Sequence, residues 1–146
     1  LSSSLDTTSS NITSNLSQNT GNGRGTLGSA MTESSGVFTF PSTGYYLIIF
    51  NACIESSSDD SRYISATINF TTDNASYTAV QRNSGNLTNQ GDARDTNAPV
   101  FAIIDVTDTA NVKVKFSFSA ETAVSLAGAS GTERKTTFSF LRLGDT

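Results

Sequence analysis

The residues able to do chemistry in this sequence are few, and their pattern argues against catalysis. Histidine is absent from all 146 residues. That removes the commonest general base, the Ser-His-Asp and Cys-His constellations, and the usual zinc ligand. Carboxylates remain, clustered at Asp59-Asp60, Asp92/Asp95 and Asp105/Asp108. All lie among Ser, Thr and Asn in stretches that read as loops or strand ends, where acids are ordinarily solvated; glycosidase-type use of such a pair is the remote alternative. No cofactor is expected, apart from a loop calcium site that the same oxygens would suit. Gly23-x-Gly25-x-x-Gly28 has the letters of a dinucleotide-binding turn, but no apolar strand precedes it and no helical pattern follows. It reads as a flexible turn. A single cysteine, Cys53, allows no internal disulfide, and its apolar neighbours make it a buried small hydrophobe. Five sequons, at Asn11, Asn15, Asn69, Asn74 and Asn86, are about as many as chance supplies at this composition and carry no argument. The chain is therefore read as a non-enzyme.

Any site must then be a surface, and the composition says what kind of scaffold holds it. Ser, Thr and Asn make up about 38% of the residues, and strong helix formers are scarce. Ser and Asn compete with helix by bonding their own backbone, whereas Thr suits strands. Apolar residues, at 36%, suffice for one core, so the chain reads as one all-β domain with polar turns. The net charge of −4 and the scatter of the nine basic residues speak against nucleic acid. No apolar run approaches the roughly 18–20 residues that span a bilayer, so no membrane is expected. No secretory signal is visible, and a start at Leu1 suggests a processed product or a piece of a longer protein.

Along the chain, residues 1–35 are polar, with Leu1, Leu5, Ile12, Leu16, Leu27 and Met31 as the large apolar exceptions. They read as an extended N-terminal arm with short strands packed on the domain, and residues 36–146 as the domain itself. GVFTFPSTGYYLIIF (36–50) gives strand, turn, strand, with Pro41 and Gly44 shaping the turn. YISATINFTT (63–72) alternates as a half-exposed strand, SYTAVQ (76–81) is its return, and 82–97 is a long polar loop. PVFAIIDV (99–106) is a strand. VKVKFSFSA (112–120) turns Val112, Val114, Phe116 and Phe118 inward and Lys113 and Lys115 outward. Residues 123–135 read as a loop with a short strand at its start, and TTFSFLRL (136–143) closes the domain. Eight to ten short strands favour a sandwich or jelly roll.

The sharpest signal is YYLIIF (45–50), a strand apolar on both sides. An antiparallel strand with one wet face alternates, and this one cannot. Its second face must be covered, either by another element of the chain or by identical subunits around an axis.

GVFTFPSTGYYLIIF resembles the pattern G-x-F-x-x-P-x-x-G-x-Y-x-F/I of the globular heads of the first complement component, shared with tumour necrosis factor ligands. AIIDVTDTANVKVKF is similar to that family's strand, Asp-containing turn and strand, and TTFSFLRL to its last Phe-rich strand. The resemblance spans about residues 36–143. The Ser/Thr/Asn-rich texture and the ending FLRLGDT also resemble virion proteins of marine bacteriophages that carry such heads. The resemblance implies a ten-stranded antiparallel jelly-roll sandwich assembling as a homotrimer. It implies that Tyr45, Leu47 and Ile49 face the threefold axis, with Tyr46, Ile48 and Phe50 in the core. Pro99, Val100 and Phe101, with Leu141 and Leu143, would join the interface. The arm and the 82–97 loop depart from the family pattern.

The functional expectation is a trimeric virion-surface module, either a fibre tip or a capsid decoration, giving multivalent attachment to a host surface. The alternative is a secreted complement-like ligand or the adhesion domain of a cellular protein. Recognition falls to the outer loops 56–62, 83–97 and 126–135, with Asp59, Asp60, Arg62, Asn86, Asp92, Arg94 and Asp95 as candidate contacts. The expected partners are other copies of the chain, virion proteins met through the arm, and a host surface glycan or protein. The expected location is the virion surface or the extracellular space.

Overall fold

Val, Ile, Phe, Tyr and Thr favour a pleated backbone, and they recur in runs from Val37 to Leu143. In the computed structural model, which describes residues 1–21, 23–56, 60–88, 94–130 and 133–146, every helix or strand found is a strand. In chain order they are β1 (Leu5–Asn11), β2 (Thr32–Ser34), β3 (Val37–Thr39), β4 (Gly44–Ser56), β5 (Ser61–Thr71), β6 (Thr78–Leu87), β7 (Arg94–Val106), β8 (Lys113–Leu126), β9 (Ala129–Ser130), β10 (Glu133–Arg134) and β11 (Thr137–Gly144). Nine of them form one antiparallel sheet that curls like a half-barrel around the core, consistent with a β-sandwich, while β9 and β10 make a separate hairpin.

The sheet has two flanks. In one, β4 lies between β11 and β7. In the other, β8 pairs with β5 and β3, β5 carries β6, and β3 carries β2. The end of β8 crosses to the first flank, where Leu126 and Ser125 pair with Ile54 and Glu55. Inward residues from both flanks meet in an aromatic cluster. Phe50 stacks on Phe138 at 4.9 Å between centroids, Phe116 lies 4.6 Å from Phe138, and Phe38 meets Phe116 edge-on at 5.4 Å. Such offset and edge contacts add to the area they bury.

The residues of the 36–48 motif each have a packing reason. Gly36 has φ +82°, and a Cβ there would sit 2.2 Å from the Ile12 carbonyl oxygen. Gly44 has φ +134° and is pressed against the Gly144 carbonyl, 2.3 Å from where a Cβ would be. Neither position admits a side chain. The Tyr46 hydroxyl donates to the Ser42 carbonyl at 3.1 Å, which satisfies a buried phenol and pins the turn. Phe38, Phe40, Tyr46 and Ile48 are all buried.

The arm belongs to the same body. Strand β1 pairs with β8 from Leu5↔Leu126 to Asn11↔Ser117, with an irregularity between Thr7 and Ser9. Leu1 and Ile12 are buried in the core, and Leu16 and Met31 pack against it. At Gly128 a Cβ would meet the Ser3 carbonyl carbon at 2.1 Å, so the arm's first residues lie directly on that glycine.

Several expectations are corrected. The 82–97 loop is mostly strand: β6 continues to Leu87 and β7 starts at Arg94. Positions Thr78–Asn86 of β6 are exposed, so its polar side chains stay in water while its backbone pairs with β5. Likewise β8 extends to Leu126 and the 123–135 loop contains the β9–β10 hairpin. The outer residues of β5 are not exposed throughout, because Ser65 and Thr67 are buried among polar neighbours. Lys113 is also buried, its ammonium donating to the Thr109 carbonyl at 2.6 Å.

Two outcomes test this packing. Phe116→Ala removes the centre of the aromatic cluster and is expected to lower stability by about 3–5 kcal/mol in denaturant unfolding. Gly128→Ala is expected to lift residues 1–4 from their seat and so speed protease cleavage there, read by mass spectrometry; an unchanged digestion pattern would contradict that seat.

Candidate functional site

Alternation along the β11–β4–β7 flank decides which side chains meet solvent. On β4, Tyr46, Ile48 and Phe50 are buried, while Tyr45, Leu47 and Ile49 point outward. Across β4, Leu47 stands between Leu141 of β11 and Ile103 of β7, and Ile49 between Ser139 and Phe101. Leu143 lies at the register shift that ends β11. Phe101 is 67% exposed, Ile103 64%, Leu141 56% and Leu143 51%, with Tyr45 and Ile49 near 40%. Seven apolar side chains, Leu47 only partly exposed among them, thus lie together on the outward face of this flank.

Val100 is not part of it. It is buried, and the same alternation that buries it turns Phe101 and Ile103 outward. The expected contact at Val100 is therefore corrected, and Ile103 takes a place that sequence reading missed. Its signal was available, since Ile103 is two residues from Phe101 and shares its face.

The outer face of the other flank is chemically opposite. The Ser65 and Ser119 hydroxyls bond at 2.7 Å, Asn69 donates to Ser117 at 2.9 Å, and the Arg82 Nε donates to Thr67 at 3.2 Å. That ladder satisfies its polar groups within the sheet and suits water. One side of the body is finished for solvent and the other is not.

The candidate loop residues separate into two places. Asp60, Arg62 and Asn86 converge with Ser61, Leu87 and Thr88 around an open depression of about 140 Å³, where the start of β5 meets the end of β6. Arg62 is held there by Glu121, which accepts its backbone N–H at 2.9 Å and its Nε at 2.6 Å. These contacts push the Arg62 guanidinium up and hold the Glu121 carboxyl below its ordinary range. Asp95 lies elsewhere, on β7 directly opposite Glu55. Arg94 begins β7. Asp59 and Asp92 lie outside the described residues.

Of the carboxylate pairs weighed for catalysis, Asp105 and Asp108 are the one with both members among the described residues, and each has its own setting. Asp108 accepts from the Ala110 N–H at 2.7 Å and from the Asn111 amide at 2.6 Å, which lowers its pKa and locks the β7–β8 turn. Asp105 is exposed at the border of the apolar patch, opposite Tyr45. Asp73 caps the β5–β6 turn through the Ala75 and Ser76 N–H groups. Gly23, Gly25 and Gly28 lie in an exposed stretch with neither strand nor helix in residues 23–31.

Above the apolar patch, the same outward row of β4 continues to Cys53 and Glu55. Here Cys53, Glu55 and Asp95 bring three ligand-type atoms within 4.8 Å of one another, and Lys135 pairs with Glu55. Burial, then the Glu55 and Asp95 charges, push the Cys53 thiol up, with Lys135 opposing. The Thr136 hydroxyl accepts the Cys53 N–H at 3.1 Å and donates to its carbonyl at 3.2 Å, which fixes the entry to β11.

No protein-family model matches the chain, and no curated protein matches it.

A raised thiol pKa has a pH consequence. Above the ordinary thiol value of 9.0 the unfolded chain has lost the proton that the folded chain still holds. Stability therefore falls as pH rises through that range. The expected result is a declining denaturation midpoint on the alkaline side, and a shallower decline in Cys53→Ala.

Proposed function

We propose that this chain is one subunit of a homotrimeric jelly-roll head that works as a surface-binding module, with Tyr45, Leu47, Ile49, Phe101, Ile103, Leu141 and Leu143 turned toward the threefold axis. The observation that carries the reading is the contrast between the two outer faces. A polar ladder covers one, and seven apolar side chains cover the other. Burying that patch between copies removes apolar area from water in the place where the single chain leaves it wet.

The strand neighbours β11–β4–β7 and β2–β3–β8–β5–β6 are compatible with a jelly roll, and the packing roles of Gly36, Gly44 and Tyr46 support the likeness to complement and tumour necrosis factor heads. The chemistry available points to binding rather than turnover, because the described carboxylates are turn caps, ion-pair partners or solvated groups. Three depressions bounded by Asp60, Arg62 and Asn86 would be presented at fixed spacing, so weak contacts to a host glycan or protein would add through avidity. The placement on a virion, as fibre tip or capsid decoration, rests on the likeness to phage virion proteins.

Light scattering over a dilution series tests the assembly. The expected mass is close to three times 15.3 kDa. Leu47→Asp is expected to give a folded monomer, because Leu47 lies on the outer face of the single chain. A wild-type monomer at all concentrations, or a Leu47→Asp trimer of unchanged stability, would overturn the assignment of this face.

A further inference from the structure

We propose that Cys53, Glu55 and Asp95 form a binding site for a borderline-soft divalent cation of the zinc type. The site needs only one copy of the chain and does not rest on the trimer. Three observations carry it.

The first is a like-charge pair. Glu55 and Asp95 stand directly opposite on β4 and β7, so two carboxylates share one cross-strand position with the cation Lys135 beside them. The second is the thiol. Cys53 is 5% exposed, and among the described residues its sulfur has no hydrogen-bond partner, yet it lies within 4.8 Å of both carboxylate oxygens. From that spacing a small inward movement of the side chains would bring all three atoms onto one ion. The third is Lys135. Its ammonium is already drawn onto Glu55, so the cluster holds a tethered cation that an ion can displace. The Glu55 and Lys135 side chains are 32% and 35% exposed, which gives the ion a route in from solvent.

A thiolate with two carboxylates suits zinc or cobalt(II) better than calcium or magnesium, which take oxygen ligands alone. On binding, the thiol proton passes to solvent, Lys135 leaves Glu55, and water fills the remaining position, as in zinc sites with three protein ligands. Cys53 and Glu55 come from one strand and Asp95 from the next, so the ion would also clamp β4 to β7 at the end away from the apolar patch.

The probes are Co²⁺ and Zn²⁺ with the whole chain. Co²⁺ is expected to give a thiolate-to-metal charge-transfer band in the near ultraviolet, and Zn²⁺ to bind one per chain in calorimetry. Asp95→Asn changes an exposed side chain and is expected to keep the fold, checked by circular dichroism. It should weaken Zn²⁺ by at least the roughly 10–100-fold that loss of an outer partner already costs. Lys135→Met should tighten binding by removing the competing cation, and Cys53→Ala should abolish the cobalt band. Failure of both ions to bind would overturn the proposal. So would binding that is indifferent to both Cys53→Ala and Asp95→Asn.

Discussion

Six consecutive side chains, Tyr45 to Phe50, lie in one extended strand, and none of them is finished for water on its own. A strand sends alternate residues to opposite sides, so no rotation or register can hide all six beneath one layer. The inner three join the Phe38–Phe116–Phe138 cluster and fix where β11 and β3 must lie. The outer three meet apolar neighbours from β7 and β11, so the apolar character continues across three strands. The sheet's curl, its core and its unfinished face thus share one origin. The Ser/Thr/Asn ladder on the other flank is the complementary case, with polar groups satisfied side by side.

Period-two patterns were legible wherever a strand separates a dry face from a wet one. Val112, Val114, Phe116 and Phe118 are all buried as their alternation requires, and so are Ile64, Ala66 and Ile68. The first part of β6 was legible as the return strand SYTAVQ, but its continuation from Arg82 to Leu87 was not, for a physical reason. A strand at a sheet's margin is held by backbone bonds to one neighbour, and TAVQRNSGNL needs no apolar side chain to make them. Composition therefore suggested a loop where the ladder makes a strand. Val100 and Phe101 show a finer limit: PVFAIIDV is apolar on both sides, so the pattern alone does not say which alternate set faces the core.

The candidate sites were less legible than the fold. Asp60, Arg62 and Asn86 were selected as polar loop residues, and hairpin pairing of β5 with β6 brings them together. The grouping of Cys53, Glu55 and Asp95 depends on the register of β4 against β7, across about 40 residues of intervening chain. Sequence spacing places Cys53 and Glu55 on one face of β4 and cannot supply Asp95. Asp73 and Asp108 illustrate the converse, because their neighbours in sequence are also their partners.

The order in which the strands pair has a consequence for how the chain reaches this shape during synthesis. Strand β1 takes its partner from β8, and β4 takes β11, the last strand of the sheet. Neither early strand has its full set of partners until the segments carrying β8 and β11 have left the ribosome. YYLIIF must meanwhile remain with its β11 side unpaired on a growing polypeptide, a state in which apolar segments are prone to wrong association. The abundance of Ser, Thr and Asn around it keeps the nascent chain well solvated through that interval. Such a chain would complete its row of sticky residues only when β11 docks beside β4.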